Sequence, residues 1–465
     1  MPTDTQTKAT WRKELRIFVY WFVGALVVAL IAMFFTLWVY VKSPQDAWRF
    51  WKMSVPIALS QSLTYIQAVV VYLLFVLARS LVRTFRKRRW KGLARGFALK
   101  VLLPVFLIWS FIRIVDVYRY SESFEYAWDT TVENQQPHIQ DLHAIDGKLR
   151  GMHLFDLEDD STDLALLNAQ NVEWLTFVPY IGQNVYNKPP EYVGIDSSWT
   201  QRRFESMEHR MEMLAPYRFK VMLKPHIWLQ QTPDGTWRSD IAMNSEAEWE
   251  TWFDFYTDYI LMYASMAEQL GFEMFCIGTE LHATVAQQPE RWKTLISQIK
   301  ETYTGKLVYA ANWSDNLDDV SFWEELDYIG IQAYYPIAEG SNPELGELEA
   351  GWQAHAEHLQ ELSERYNKPI LFTEIGYKST PDAATRPWEW VQPSHRFYKR
   401  VSHKTQALSY QAFFNVIWPK PWFAGAILWQ WNPGSNSDGK NNRFTIKGKP
   451  ALNVVARGFS EPVTP

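Results

Sequence analysis

The chain has 465 residues, 16% of them aromatic and 21% charged, enough for one large folded domain and an additional region. Its net charge of −5 averages two parts of opposite sign: residues 1 to 120 carry 18 Lys+Arg against 4 Asp+Glu, leaving 28 against 47 for the remainder. Neither part reads as a nucleic-acid binder, and the single cysteine, Cys276, excludes an intramolecular disulfide.

The N-terminal part is built for a bilayer. Phe18 to Val41 contains no charged residue and is longer than the roughly 20 residues needed to cross a hydrocarbon core. Two further apolar segments follow, Val55 to Ala78 and Phe97 to Val115, so the first is a retained helix and not a cleaved signal. Arg12, Lys13 and Arg16 precede the first segment, and Arg79, Arg83, Arg86, Lys87, Arg88, Arg89, Lys91 and Arg95 fill the loop between the second and third. Positive residues stay in the cytoplasm. Residues 1–120 are therefore expected to form a three-helix transmembrane region, with spans at about 18–41, 55–78 and 97–115. The N-terminus is expected inside and everything after Tyr120 outside the cytoplasm, on an inner or plasma membrane. Ser60, Gln61, Ser62, Thr64 and Gln67 of the second span suit hydrogen bonds between helices; lining a pore or contacting a partner subunit are the alternatives.

After a polar connector, residues 121–145, the acidic part alternates short apolar β-type runs with longer amphipathic stretches. The expected strands are Leu149 to Phe155, Glu173 to Val178, Lys220 to Leu223, Met274 to Ile277, Leu307 to Ala311, Tyr328 to Gln332, Ile370 to Thr373 and Gly425 to Trp429. Eight strands alternating with helices predict an α/β domain over residues 146–465, a (β/α)8 TIM barrel. The stretch from Ser245 starts with the capping pattern Ser245-x-x-Glu248 and carries Trp249, Trp252, Phe253, Tyr256, Tyr259, Ile260 and Tyr263 at helical spacing. That stripe reads as core packing against the barrel.

Chemistry in such a barrel gathers just past the C-terminal ends of the strands. In chain order those positions hold His153, Tyr180, Lys224, His226, Trp228, Glu280 and His282, then Asn312, Trp313, Tyr334, Tyr335, Glu374, Tyr377, Trp429, Trp431 and Asn432. Flat aromatic faces stack on pyranose rings while amides and imidazoles meet hydroxyls, so this rim points to a carbohydrate. The connections Gln230 to Asn244, with Trp237, and Lys378 to Ser394, with Trp388 and Trp390, are long enough to wall further subsites. Glu280 and Glu374 each end a β-type run, and two facing carboxyls are what glycosidic-bond cleavage requires. There is no phosphate-cradling loop, no HExxH helix, no Cys/His metal spacing and no Gly-x-Ser-x-Gly elbow. No metal and no cofactor are expected. His153, His226 and His282 could converge on a metal, but hydrogen bonding to carboxylates or hydroxyls is the reading their positions favour.

The order of these parts resembles clan A of the retaining glycoside hydrolases. Within it, Lys224-Pro-His-Ile-Trp228, Cys276-Ile-Gly-Thr-Glu-Leu281, Gln332-Ala-Tyr-Tyr-Pro336 and Phe372-Thr-Glu-Ile-Gly-Tyr377 are similar to glycoside hydrolase family 113, a family of β-mannan-active enzymes. The resemblance covers about residues 146 to 460. It implies Glu280 as general acid and base, Glu374 as nucleophile, Tyr334 or Tyr335 as the hydrogen-bond partner of Glu374, and Trp429 as the platform under the reacting sugar. Many clan members place Asn directly before the acid/base to meet the sugar 2-hydroxyl; here the residue is Thr279. The implied partner is a β-linked polysaccharide or oligosaccharide. Two alternatives stay open beside a mannanase: cleavage or transglycosylation of another β-glycan or exopolysaccharide, and a non-catalytic glycan-binding role in a polysaccharide synthesis or export complex.

Overall fold

The computed structural model of the chain describes residues 141 to 463 except 155–161, 191–196, 392–399 and 434–440, together with parts of 16–119. The chain divides into two units, Met1–Ile114 and Val115–Pro465. Among the described residues, one helix, Ala94–Val115, is long and apolar enough to cross a membrane. It covers the third expected span. The second, 55–78, lies almost wholly outside the described residues, as does most of the connector 121–145, and the first span is described only in part.

The described residues of the C-terminal unit form ten strands: β1 Leu149–Leu154, β2 Trp174–Phe177, β3 Tyr180–Gln183, β4 Lys220–Leu223, β5 His226–Leu229, β6 Met274–Thr279, β7 Lys306–Asn312, β8 Tyr328–Gln332, β9 Ile370–Ile375 and β10 Phe423–Trp431. Eight close into a parallel barrel in the order β1-β2-β4-β6-β7-β8-β9-β10, with β10 pairing back to β1 from Leu149↔Gly425 onward. Each barrel strand is buried along nearly its whole length, which is why these strands read as continuous apolar runs. The remaining two, β3 and β5, pair with each other above the rim. Pro179 and Pro225 separate them from β2 and β4, and proline has no N–H to continue the barrel ladder.

The chain crosses over through α1 Thr162–Ala169, α2 Ser197–Leu214, α3 Glu246–Leu270, α4 Pro289–Thr302, α5 Leu345–Tyr366 and α6 His403–Val416, and ends on α7 Pro450–Phe459. Between β7 and β8 only two short 3-10 turns intervene, Leu317–Asp319 and Trp323–Glu325, so strict alternation fails there. α3 is capped as its sequence requires: Ser245 Oγ accepts the Glu248 N–H, and Gly271 ends the helix at φ +70°. Its aromatic stripe is buried against the strands, with the Tyr256 hydroxyl donating to Ile277 O at 2.9 Å.

Inside the barrel, Leu149, Trp174, Met222, Met274, Cys276, Val308, Ala310, Leu371, Ala424 and Ile427 form a closed apolar plug. Gly330 of β8 is set by the same crowding: a Cβ there would stand 2.3 Å from Tyr309 O of β7. With the interior filled, the chemistry is left to the C-terminal rim.

Candidate active site

Glu374 lies near the end of β9 and is almost completely buried. Its Oε1 accepts from Lys224 Nζ at 2.6 Å and its Oε2 from the Tyr334 hydroxyl at 2.7 Å. Lys224 follows β4, is fully buried, and also donates to Gln332 Oε1 at the end of β8. One ammonium thus ties three strands across the barrel mouth. Removing either partner of such a buried carboxylate–ammonium contact costs roughly 3–5 kcal/mol. Burial, reinforced by Glu374, keeps the Tyr334 phenol well above its ordinary pKa, so it serves as a donor. His153 lies 3.9 Å from Glu374 but is neutral: burial and the Lys224 charge hold it well below the usual histidine range, and its Nε2 donates to Thr373 O at 3.0 Å.

Glu280 directly follows β6 in the left-handed region, at φ +52°. A non-glycine residue held there costs about 1–3 kcal/mol and persists only where neighbours fix it. Here its N–H donates to Ala310 O at 2.8 Å, and the Leu281 N–H donates to the Tyr309 hydroxyl at 2.9 Å. Its Oε2 accepts from the Trp237 indole N–H at 2.6 Å, with Arg238 Nε 3.6 Å away. No described residue hydrogen-bonds its Oε1.

Arg238 is itself buried and donates to His226 Nδ1 at 2.7 Å. His226 therefore carries its proton on Nε2, a buried atom with no described partner. Burial and the neighbouring Arg238 and Lys224 hold this imidazole neutral. On the other side of Glu280, burial pushes Asp315 up to about 6, with Glu280 and Asp240 acting in the same direction.

Both glutamates open into one cleft of about 730 Å³. Tyr180, Trp228 and Trp237 form one wall; Trp313, Trp388, Trp390, Trp429 and Phe444 form the rest, with His226, Asn312, Gln332 and Tyr334 between. Trp313 and Trp388 lie 5.2 Å apart between ring centres and Trp390 meets Trp429 edge-on at 5.9 Å. The loop bearing Trp388 and Trp390 is anchored by the buried Lys378, whose ammonium donates to the carbonyls of Arg386 and Glu389.

The expected rim residues separate accordingly. His226, Trp228, Asn312, Trp313, Tyr334 and Trp429 border the cleft with the two glutamates. Lys224 and His153 sit beneath it and act on Glu374 and Trp429, the imidazole standing edge-on to the Trp429 ring at 5.0 Å. Four expected sugar contacts are placed elsewhere. Tyr335 points behind the sheet against Trp352 and His355 because neighbours in extended chain face opposite ways. Tyr377 is buried against Tyr410, and Trp431 donates its indole N–H to Asp163 at 3.1 Å. His282 starts a short helix and sits between Asp315 and Asp319, 3.3 Å from the latter's Oδ2. Arg238, Gln332 and Asp315 are not among the rim residues expected to form the site. Gln332 was readable as a strand terminus, whereas Arg238 and Asp315 come from irregular loops whose course no periodicity reveals. Among the described residues no group of three or more His, Cys, Asp or Glu side chains could hold a metal ion.

A filled (β/α)8 barrel with two carboxyls facing an aromatic cleft at its C-terminal rim is the architecture of a glycoside hydrolase. The profile of Glycoside Hydrolase Family 113 matches residues 151–449, and the chain belongs to that family. A family 113 β-1,4-mannanase solved as a complex superposes with a TM-score of 0.57 at 23% identity, over 68% of this chain and 99% of its own. The family 113 β-mannanase of Alicyclobacillus acidocaldarius, solved with ManMIm, gives 0.56 at 28% identity, over 68% and 97%. A family 5 mannosidase from Rhizomucor miehei shares the fold at 13% identity, with a TM-score of 0.51 over 68% and 93%. No curated protein matches the chain.

Proposed function

We propose that the protein is a membrane-anchored, extracytoplasmic retaining β-glycoside hydrolase that cleaves β-1,4-mannan or manno-oligosaccharides by double displacement. The observation that carries this reading is the unequal treatment of the two carboxyls. Glu374 has both oxygens engaged, by an ammonium and a phenol, which suits an ionised nucleophile aimed at one point. Glu280 has one oxygen held and the other open to the cleft, which suits a group that must give up a proton and later take one.

In the first step Glu374 attacks the anomeric carbon as Glu280 protonates the departing glycosidic oxygen. The C–O bond to the leaving sugar breaks, and a glycosyl ester of Glu374 forms. In the second, Glu280 removes a proton from water, whose oxygen attacks the same carbon and frees Glu374. Trp429 lies under the reacting sugar, and the neutral His226 borders the same cleft. Lys224, Trp228, Asn312 and Trp313 hold the nucleophile and the flanking sugars.

The mannan preference rests on the names of the similar solved structures. One observation favours another β-glycan or a transglycosylation: Thr279 is buried, its hydroxyl 3.8 Å from Cys276 Sγ, so it makes no 2-hydroxyl contact of the kind Asn would provide. Incubation of the enzyme with defined β-1,4-linked manno-, gluco- and xylo-hexaoses separates the readings. Manno-oligosaccharides should be cut fastest, and the first-formed reducing ends should be β by NMR; α-configured products would rule out double displacement.

Membrane anchoring rests on the three apolar segments and the Lys/Arg asymmetry around them. In a bacterium with a periplasm, a reporter active only after export should work when fused after Tyr120, and one active only in the cytoplasm should work at Arg89. The opposite pattern would overturn the assigned topology.

A further inference from the structure

The loop after β5 reaches back over the rim to touch Glu280, and nothing in the established fold requires it to do so. Pro233-Asp-Gly-Thr-Trp-Arg-Ser-Asp240 turns through two left-handed residues, Asp234 at φ +54° and Gly235 at φ +79°. It is then clamped: Asp240 Oδ2 accepts the Trp237 N–H at 2.7 Å and the Asp240 N–H returns to Trp237 O at 3.0 Å. Arg238 pins the turn to β5 through His226 and lies 4.5 Å over the Trp237 ring. The indole is thereby fixed from one side, while a third of its surface stays open to the cleft. Its N–H is spent on one atom, Glu280 Oε2.

From this arrangement we infer that Trp237 is a positioning residue for the acid/base. It immobilises Glu280 through Oε2 and leaves Oε1 as the oxygen that exchanges the proton. The inference rests on the reading of Glu280 as general acid and base. Other groups lie around Glu280: Arg238 from the same loop, Asp315 from the loop after β7, Tyr334 and Glu374 from the strand ends across the cleft, and Tyr180 from β3. Of these, Trp237 alone is shown within hydrogen-bond distance of Oε2, so its removal is separable from theirs.

Trp237→Phe keeps the ring and deletes the donor. Deleting a donor to a carboxylate should move the basic limb of kcat/KM on an unactivated oligosaccharide to higher pH. Less secure aim should lower kcat on that substrate by roughly 10-fold. On a 2,4-dinitrophenyl glycoside, whose departure needs no proton, the glycosylation rate should change by less than about 2-fold. A basic limb that stays in place, or equal losses on both substrates, would mean that Trp237 is only a sugar platform and would overturn the proposal. Glu280→Gln, measured in parallel, distinguishes the two levels. If it retains both turnover on the oligosaccharide and the basic limb, Glu280 is not the acid and both readings fall. If it loses them while Trp237→Phe leaves the limb unmoved, the positioning role alone fails.

Discussion

Glu374→Gln should abolish hydrolysis of every β-linked substrate, lowering kcat by on the order of 10⁴- to 10⁶-fold, the range seen when a covalent nucleophile is deleted. An amide cannot form the glycosyl ester, and the defect is independent of the leaving group. The surroundings add a second reason. Lys224 and Tyr334 both donate to this side chain, so the glutamine nitrogen is forced against a donor, and the buried ammonium loses its counter-charge. Circular dichroism and thermal melting would show whether the fold tolerates the change. Near-normal turnover by a folded Glu374→Gln enzyme would remove Glu374 from the mechanism.

Glu280→Gln should instead divide substrates by chemistry. Oligosaccharides, whose leaving oxygen must be protonated, should lose roughly 10²- to 10⁴-fold. An activated aryl glycoside should still glycosylate Glu374, releasing one equivalent of phenol in a burst, after which the ester persists because no base activates water. Azide needs no such base. Added at millimolar concentration, it should restore turnover and yield a β-configured glycosyl azide, detectable by mass spectrometry and NMR. Uniform losses on both substrate types, with no burst and no azide adduct, would exclude Glu280 as acid/base.

Much of the barrel could be read from the chain because parallel strands buried on both faces write themselves as unbroken apolar runs. Lys220 to Leu223 and Tyr328 to Gln332 have the same ends in sequence and structure, and the others differ by a residue or two at their ends. The paired strands β3 and β5 were not legible. Each is four residues long and lies just past a proline that reads as a terminator. Strand ends carried the two glutamates into view, but they could not decide parity. Tyr334 and Tyr335 are equivalent in sequence, yet only Tyr334 faces Glu374; the other belongs to the packing around Trp352. Trp431 and Tyr377 misled for the same reason, since aromatic residues near a strand end serve the core and the cleft alike. What periodicity cannot carry is the path of an irregular loop. Trp237 was visible as a wall residue of the Gln230 to Asn244 connection, but its hydrogen bond to Glu280 and the hold of Arg238 on His226 depend on an Asp-Gly turn closing back over the rim.

Cys276 gives the barrel a built-in clock. It is the only thiol in the chain and is fully enclosed in the interior plug, its Sγ donating to Gly278 O at 3.2 Å. Burial also raises its pKa, so little reactive thiolate exists in the folded state. An alkylating reagent can then reach it only when the strands part. With no competing site and no engineered label, the rate of its modification in saturating reagent reports how often the barrel opens under native conditions.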